Sequence, residues 1–188
     1  MKKLRLSYSL LKAYSETESE KSVERLVNTY LHLNNYSSKA MSEGTEFDAY
    51  TRDFVNQTGM LPPELGGEIL GDKATSGSVG VVPYSDKFDL SYEFDIVVPP
   101  HRIIEVKRSV ANDSGHFLET GQVSFYFLVA TLLGMDIRQI DVYRYDPINK
   151  TFDKSTAWLS EKRLDEARNM VQDKGEKIYK VLKREGVL

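Results

Sequence analysis

Charges set inside apolar strands constrain this chain more than any other feature. Between Tyr92 and Ser109 the sequence reads as two short strands. Phe94, Ile96, Val97 and Val98 form the first, and Ile103, Ile104 and Val106 the second. Pro99-Pro100 separates them, since proline has no N–H to give to a ladder. Three charges interrupt the run: Asp95, Glu105 and Lys107. Charged groups are almost never fully buried unless paired or bound to a metal. Side chains alternate along a strand, so Glu105 and Lys107 share one face while Val106 points to the other. Pairing of the two strands would bring Asp95 towards Glu105. The expectation is two carboxylates and an ammonium at one point, which suits a divalent cation with a lysine beside it.

The remaining composition narrows the chemistry by exclusion. A chain of 188 residues suffices for one domain with a full core. The expected division is N-terminal helices over 1–60, a sheet core with one further helix over 61–156, and a C-terminal helix over 157–188. A net charge of −3 gives no global basic field, although a local patch is enough to hold nucleic acid. Cysteine is absent, which excludes disulfides, thiolate zinc sites, a cysteine nucleophile and iron–sulfur clusters. No apolar run approaches the roughly 18 residues of a membrane span, and the polar N-terminus has no signal-peptide core. A cytoplasmic protein with no membrane partner is expected. His32, His101 and His116 are scattered and have no partner at ligand spacing, so zinc is a poor fit.

Helical periodicity places the flanking elements. Leu6 to Tyr14 reads as a short helix with Ser7 as N-cap and Leu10, Leu11 and Tyr14 on one face. Ser15 to Glu20 is a polar loop. Val23, Leu26, Val27, Tyr30 and Leu31 give a second helix ending near Asn34-Asn35. A third runs from about Ser38 to Gln57 and stops at Gly59, with Ala40, Phe47 and Phe54 in one row and Met41, Gly44, Thr51 and Val55 in the next. Asp48 falls in that second row. It is either an acid directed inwards or an edge residue paired with Arg52 four positions on. Leu61 to Ser91 is rich in Gly, Pro, Ser and Asp, with possible strands at Glu68–Leu70 and Ser78–Val82. Asn112 to Gly115 is a loop, and Phe117 to Leu133 a strongly apolar helix capped by Gly134, with Gln122 and Tyr126 one turn apart. Ile137–Tyr145 and Lys150–Asp153 read as strands around an Asp146-Pro-Ile-Asn149 turn. Ser160 to Arg184 is a charged amphipathic helix that Gly175 is expected to bend or interrupt. The order implies an α/β fold, a small mixed sheet flanked by helices.

In order, the chain carries Ser-x-Ser-Leu-Leu-x-x-Tyr from Ser7 to Tyr14, Gly-Thr-x-x-Asp from Gly44 to Asp48, then Asp95, Glu105-Val-Lys107 and Gln122-x-x-x-Tyr126. This series resembles the PD-(D/E)XK nuclease superfamily, and within it the RecB-like branch. The Asp…Glu-x-Lys part alone is a weak motif; its setting on two strands followed by Gln-x-x-x-Tyr on a helix is far more specific. The resemblance implies a restriction-endonuclease-like core and a nuclease acting on DNA ends, single strands or branches. A junction-resolvase-like endonuclease and a DNA-binding relative without activity are its alternatives. It implies Mg²⁺ or Mn²⁺ held by Asp48, Asp95, Glu105 and the Val106 backbone carbonyl, with Asp95, Glu105 and Lys107 catalytic. Gln122 and Tyr126 are then expected at the scissile phosphate, and Arg108, Ser109 and Arg102 against the DNA backbone. The sequence departs from the branch at Asp48, where a histidine is usual, and lacks the cysteines with which some relatives hold an iron–sulfur cluster. The chemistry is consistent in its own terms. Hard carboxylate ligands suit Mg²⁺ or Mn²⁺, and an adjacent lysine can steady the charge that builds on phosphorus.

Overall fold

The structure, a computed structural model, describes residues 3–32 and 39–188. Its elements are β1 (Leu4–Leu6), α1 (Tyr8–Ala13), α2 (Glu20–Tyr30), α3 (Lys39–Thr58), β2 (Thr75–Pro83), β3 (Phe88–Val98), β4 (Arg102–Arg108), α4 (Ser114–Glu119), α5 (Gly121–Leu132), β5 (Gln139–Asp146), β6 (Thr151–Trp158) and α6 (Glu161–Arg184). A single 3₁₀ turn, Pro63–Leu65, lies between α3 and β2. Six strands make one mixed sheet in the order β1-β3-β4-β5-β6, with β2 paired to β3. β1–β3 and β4–β5 are parallel and the other pairs antiparallel. The α/β expectation is therefore met.

Both faces of the sheet are covered. Phe88, Leu90, Ile103, Ile140 and Val142 meet Leu10 and Leu11 of α1, Val123 and Phe127 of α5 and Ile178 of α6 in the larger core. On the other face Ile96, Ile104, Val106 and Tyr143 meet Val55 of α3 and Leu65 of the 3₁₀ turn. Burial of apolar surface on this scale is the main force holding the helices to the sheet. α5 is apolar on every side, with Val123 through Ala130 all buried, because it lies beneath α6 as well as against the sheet.

Several boundaries differ from the sequence reading. The apolar helix expected over Phe117–Leu133 is two helices, broken at Thr120. Asp113 caps the first by accepting from the His116 N–H, so a helix begins inside the expected polar loop. β1 and the upstream half of β3 were not anticipated, while Glu68–Leu70 contributes only one bridge, Met60 with Ile69. α2 ends at Tyr30, Leu31 is exposed, and the expected terminus at Asn34-Asn35 falls outside the described residues. Gly175 does not interrupt α6. It is buried where a Cβ would lie 2.8 Å from Leu6 Cδ1 and 3.2 Å from the Phe88 ring. Other expectations hold: Ser7 caps α1, and Gly134 follows α5 at φ +71° in a Schellman closure; Ser160 caps α6 in the same way as Ser7. Among the described residues no helix is long and apolar enough to cross a membrane.

Candidate active site

The site is built where two strands part. β3 and β4 pair over three residues only, Ile96–Ile104, Val97–Ile103 and Val98–Arg102. Upstream of Ile96, β3 runs with β1 and β2, while β4 continues alongside β5 to Arg108. The sheet thus forks at Asp95 and Glu105. The β2–β3 ladder omits one pair at this level, Gly77 with Asp95. Gly77 has φ +69°, a conformation that residues with a Cβ rarely adopt. Along β3, Phe88, Leu90 and Phe94 face the larger core, Ile96 the smaller and Val97 the larger again. The alternation therefore slips by one residue at Asp95, a local irregularity of the kind that re-aims side chains beside functional sites.

Asp95 reaches across the fork. Its Oδ2 accepts from the Val106 N–H at 2.9 Å, so the expected approach of the two acidic strands is realised through the backbone. Its Oδ1 faces Arg52 Nη2 at 3.3 Å, and Arg52 Nη1 lies 2.6 Å from Glu93 Oε1. Glu105 is 3 % exposed. Its Oε1 accepts from Lys107 Nζ and, at 2.7 Å, from Gln122 Nε2, whereas Oε2 is buried with no hydrogen-bond partner. Burial, reinforced by Asp95, holds the Glu105 carboxyl well above the usual carboxylate range despite Lys107. Burial alone would lower the Lys107 ammonium, but Glu105, Asp95 and Asp48 outweigh it and the net shift is upwards. Lys107 is therefore firmly charged.

α5 supplies the roof. Gln122 Nε2 also lies 3.0 Å from the Tyr126 hydroxyl, which donates at 2.7 Å to the Glu93 carbonyl. The Tyr126 ring meets Phe94 edge-on at 5.1 Å. The two residues one helical turn apart thus connect Glu105 to the unpaired edge of β3. α3, packed on the opposite face, sends Asp48 and Arg52 into the same cleft, about 530 Å³, lined also by Asp95, Glu105, Lys107, Gln122 and Tyr126. Burial first, then the Asp95 charge, raises the Asp48 carboxyl to about 6 against the pull of Lys107 and Arg52. Arg52 pairs with Asp95 and Glu93, so the alternative of an Asp48–Arg52 pair is corrected.

The remaining sequence candidates lie elsewhere. Arg108 points away from Lys107 and pairs with Glu43 of α3 at 2.7 Å. The Ser109 hydroxyl accepts from the Asn112 N–H at 3.2 Å. Arg102 is absorbed into a partly buried ion network with Glu68, Asp141 and Tyr143 on the smaller-core face. His101 is held by Asp136, and His116 lies against Phe117. Sequence reasoning missed Arg52 and Glu93 as members of the site. Arg52 was legible as the residue one turn beyond Asp48, and Glu93 as the acid two positions before Asp95.

Among the described residues no trio of His, Asp or Glu is drawn close enough to hold a metal ion as the side chains stand. The donors nonetheless suit one. Asp48, Asp95 and Glu105 line one cleft, Glu105 Oε2 is orphaned, and two of the three carboxyls are held above their ordinary range. Hard oxygen donors of this kind fit Mg²⁺ or Mn²⁺.

The architecture has solved counterparts. An alkaline exonuclease (LHK-Exo) from Laribacter hongkongensis aligns over 97% of this chain and 93% of its own, with a TM-score of 0.51 at 18% identity. A putative exonuclease from Eubacterium rectale aligns over 98% and 83%, with a TM-score of 0.60 at 14% identity. A phage-related exonuclease from Haemophilus somnus gives 94% and 93%, 0.55 and 15%. The fold is one that exonucleases use. No family model and no curated protein matches the chain by sequence. At these identities the likeness is one of fold, and it bears out the nuclease-like mixed sheet flanked by helices.

Proposed function

We propose that this chain is a divalent-metal-dependent deoxyribonuclease of the PD-(D/E)XK type, in its RecB-like branch. It would act as an exonuclease or on single-stranded and flap ends during DNA replication, recombination or repair. The observation that carries the reading is the fork itself, where Glu105 accepts from Lys107 and Gln122 and Asp95 accepts from the Val106 N–H, all lining one cleft. The exonuclease fold of the structural neighbours supports it, as does the capture of one of them, LHK-Exo, in complex with dAMP.

Asp95, Glu105 and Asp48 would hold the cation. The Val106 carbonyl would join them, since a strand residue turns its N–H and C=O to the same edge and the Val106 N–H already meets Asp95. A bound Mg²⁺ or Mn²⁺ would polarise the phosphate and lower the pKa of an attacking water. Lys107, charged and anchored on Glu105, orients the nucleophile and stabilises negative charge on the phosphorane-like transition state. Gln122 fixes the Glu105 carboxylate and Tyr126 fixes Gln122.

End-labelled single-stranded, duplex and branched DNA incubated with Mg²⁺, Mn²⁺ or EDTA tests this. Cation-dependent mononucleotide ladders from one end are expected. Lys107→Ala should lower turnover by about 10²–10³-fold, the scale of losing one charge-stabilising donor, with little loss of DNA binding. Asp95→Ala should abolish cleavage. No cation-dependent cleavage of any substrate by the unaltered protein would overturn the reading.

A further inference from the structure

A second groove opens from the cleft between α1 and α2. It encloses about 820 Å³ and shares Tyr8, Ser9, Lys107 and Gln122 with the candidate active site. Two helical stripes form its walls. Ser9, Lys12 and Ala13 recur at i, i+3 and i+4 on α1, and Lys21, Glu24, Arg25 and Asn28 on α2. Lys12, Lys21 and Arg25 are exposed and make no ion pair among the described residues. Most other lysines and arginines are neutralised locally, as with Arg52, Arg102, Arg108, Arg144 and Lys177. Glu24 is the one acid among the described residues of the lining. The described lining thus sets Lys12, Lys21, Arg25 and Lys107 against Glu24, a locally cationic groove in a chain whose net charge is −3. Tyr8, Ala13 and the exposed Met41 add apolar surface among them.

We propose that the α1–α2 groove holds a single-stranded segment of DNA continuous with the strand at the cleft, its phosphates on Lys12, Lys21 and Arg25. Cations spaced along a groove with apolar and aromatic surface between them match the chemistry of a single strand, whose phosphates and base faces are both accessible. The inference rests on the nuclease reading for the position of the cleft, but its test does not depend on cleavage.

The probe is a fluorescein-labelled oligothymidylate of 12 nucleotides, titrated with the full chain in EDTA over a range of salt. The groove variant combines Lys12→Gln, Lys21→Gln and Arg25→Gln. The control combines Lys73→Gln, Lys150→Gln and Lys180→Gln, three positions outside the groove. Each cation withdrawn from the phosphates of a single strand lowers the slope of log K against log salt by about 0.7. Withdrawing all three predicts a fall of roughly 2 in the groove variant and at least about tenfold weaker binding near 0.1 M salt. The control should keep the slope. An unchanged slope in the groove variant, or an equal fall in the control, would overturn the proposal, as would a loss confined to blunt duplex. If the unaltered chain cuts nothing yet the groove variant alone loses binding, the groove stands and the nuclease reading falls.

Discussion

Asp48 is the residue at which this chain leaves the pattern it otherwise resembles, and its environment gives that departure a measurable consequence. Its carboxyl is raised from 3.8 to about 6, first by burial and then by Asp95. A carboxyl whose folded pKa exceeds its unfolded value takes up a proton on folding between the two. The ionised form thus weighs against the metal-free fold, fully above about pH 6 and not at all below about pH 4. Two units correspond to about 3 kcal/mol, and partial exposure reduces this to about 1 kcal/mol. Asp48→Asn should accordingly stabilise the protein in EDTA by about 1 kcal/mol at pH 7.5 and leave it unchanged at pH 4, measured by urea unfolding. The same substitution removes a donor, so calorimetric titration should show weaker Mn²⁺ binding. Since Glu105 is also held above its ordinary range, binding to the unaltered site should release protons and tighten as pH rises. A cation affinity independent of pH would contradict both assignments.

At the level of elements, Gly175 shows how a helix former can be the wrong residue for a helix. Alanine there would gain up to about 1 kcal/mol of helix propensity. Its Cβ would also sit 2.8 Å from Leu6 Cδ1, with the Phe88 ring behind it at 3.2 Å, and overpacking of this kind costs about 1–3 kcal/mol. Gly175→Ala should therefore destabilise by about 1 kcal/mol in denaturant titration, and Gly175→Val by more; a stabilised alanine variant would show that β1 yields freely. Periodicity alone reads this position as a flaw in α6, because the partner that demands glycine lies in a three-residue strand more than 160 positions earlier. The same blindness explains the other misses. A parallel strand as short as Leu4–Leu6 has no pattern of its own, and the break at Thr120 is hidden by apolar residues on both sides. Long amphipathic helices such as α3 and α6 were legible because one face repeats over several turns. The acidic strands were legible because charge among apolar residues demands a partner. Arg52 was legible only as the residue one turn beyond Asp48; its reach to Asp95 depends on the fork in the sheet, which no local pattern encodes.

Over the whole molecule, the fork joins the two cores, so the proposed cation would act on global stability. α3 packs on the smaller core yet delivers Asp48 and Arg52 to a cleft whose other walls, α1 and α5, pack on the larger one. The three carboxylates share two cations, Arg52 and Lys107, beside the neutral donors Val106 N–H and Gln122, and Glu105 Oε2 has no hydrogen-bond partner. Unfolding would disperse this cluster and relieve its repulsion, so without a cation the clustered carboxylates bias the chain against the fold. A divalent cation that recognises the assembled cleft reverses that bias, stabilising the folded chain by about 2.7 kcal/mol at one hundred times its dissociation constant. For a chain of this length that is a rise of roughly 5–10 °C in melting temperature. Calorimetric melts in EDTA and in increasing Mn²⁺ should show that rise. Asp95→Asn should remove most of the cation-dependent shift; its amide oxygen can still accept from the Val106 N–H, and any lowering of the melt in EDTA reports the lost Arg52 pair. If the cation shift survives in that variant, the ion binds outside the fork, and the assignment of Asp95 as its ligand fails even where cleavage itself is lost.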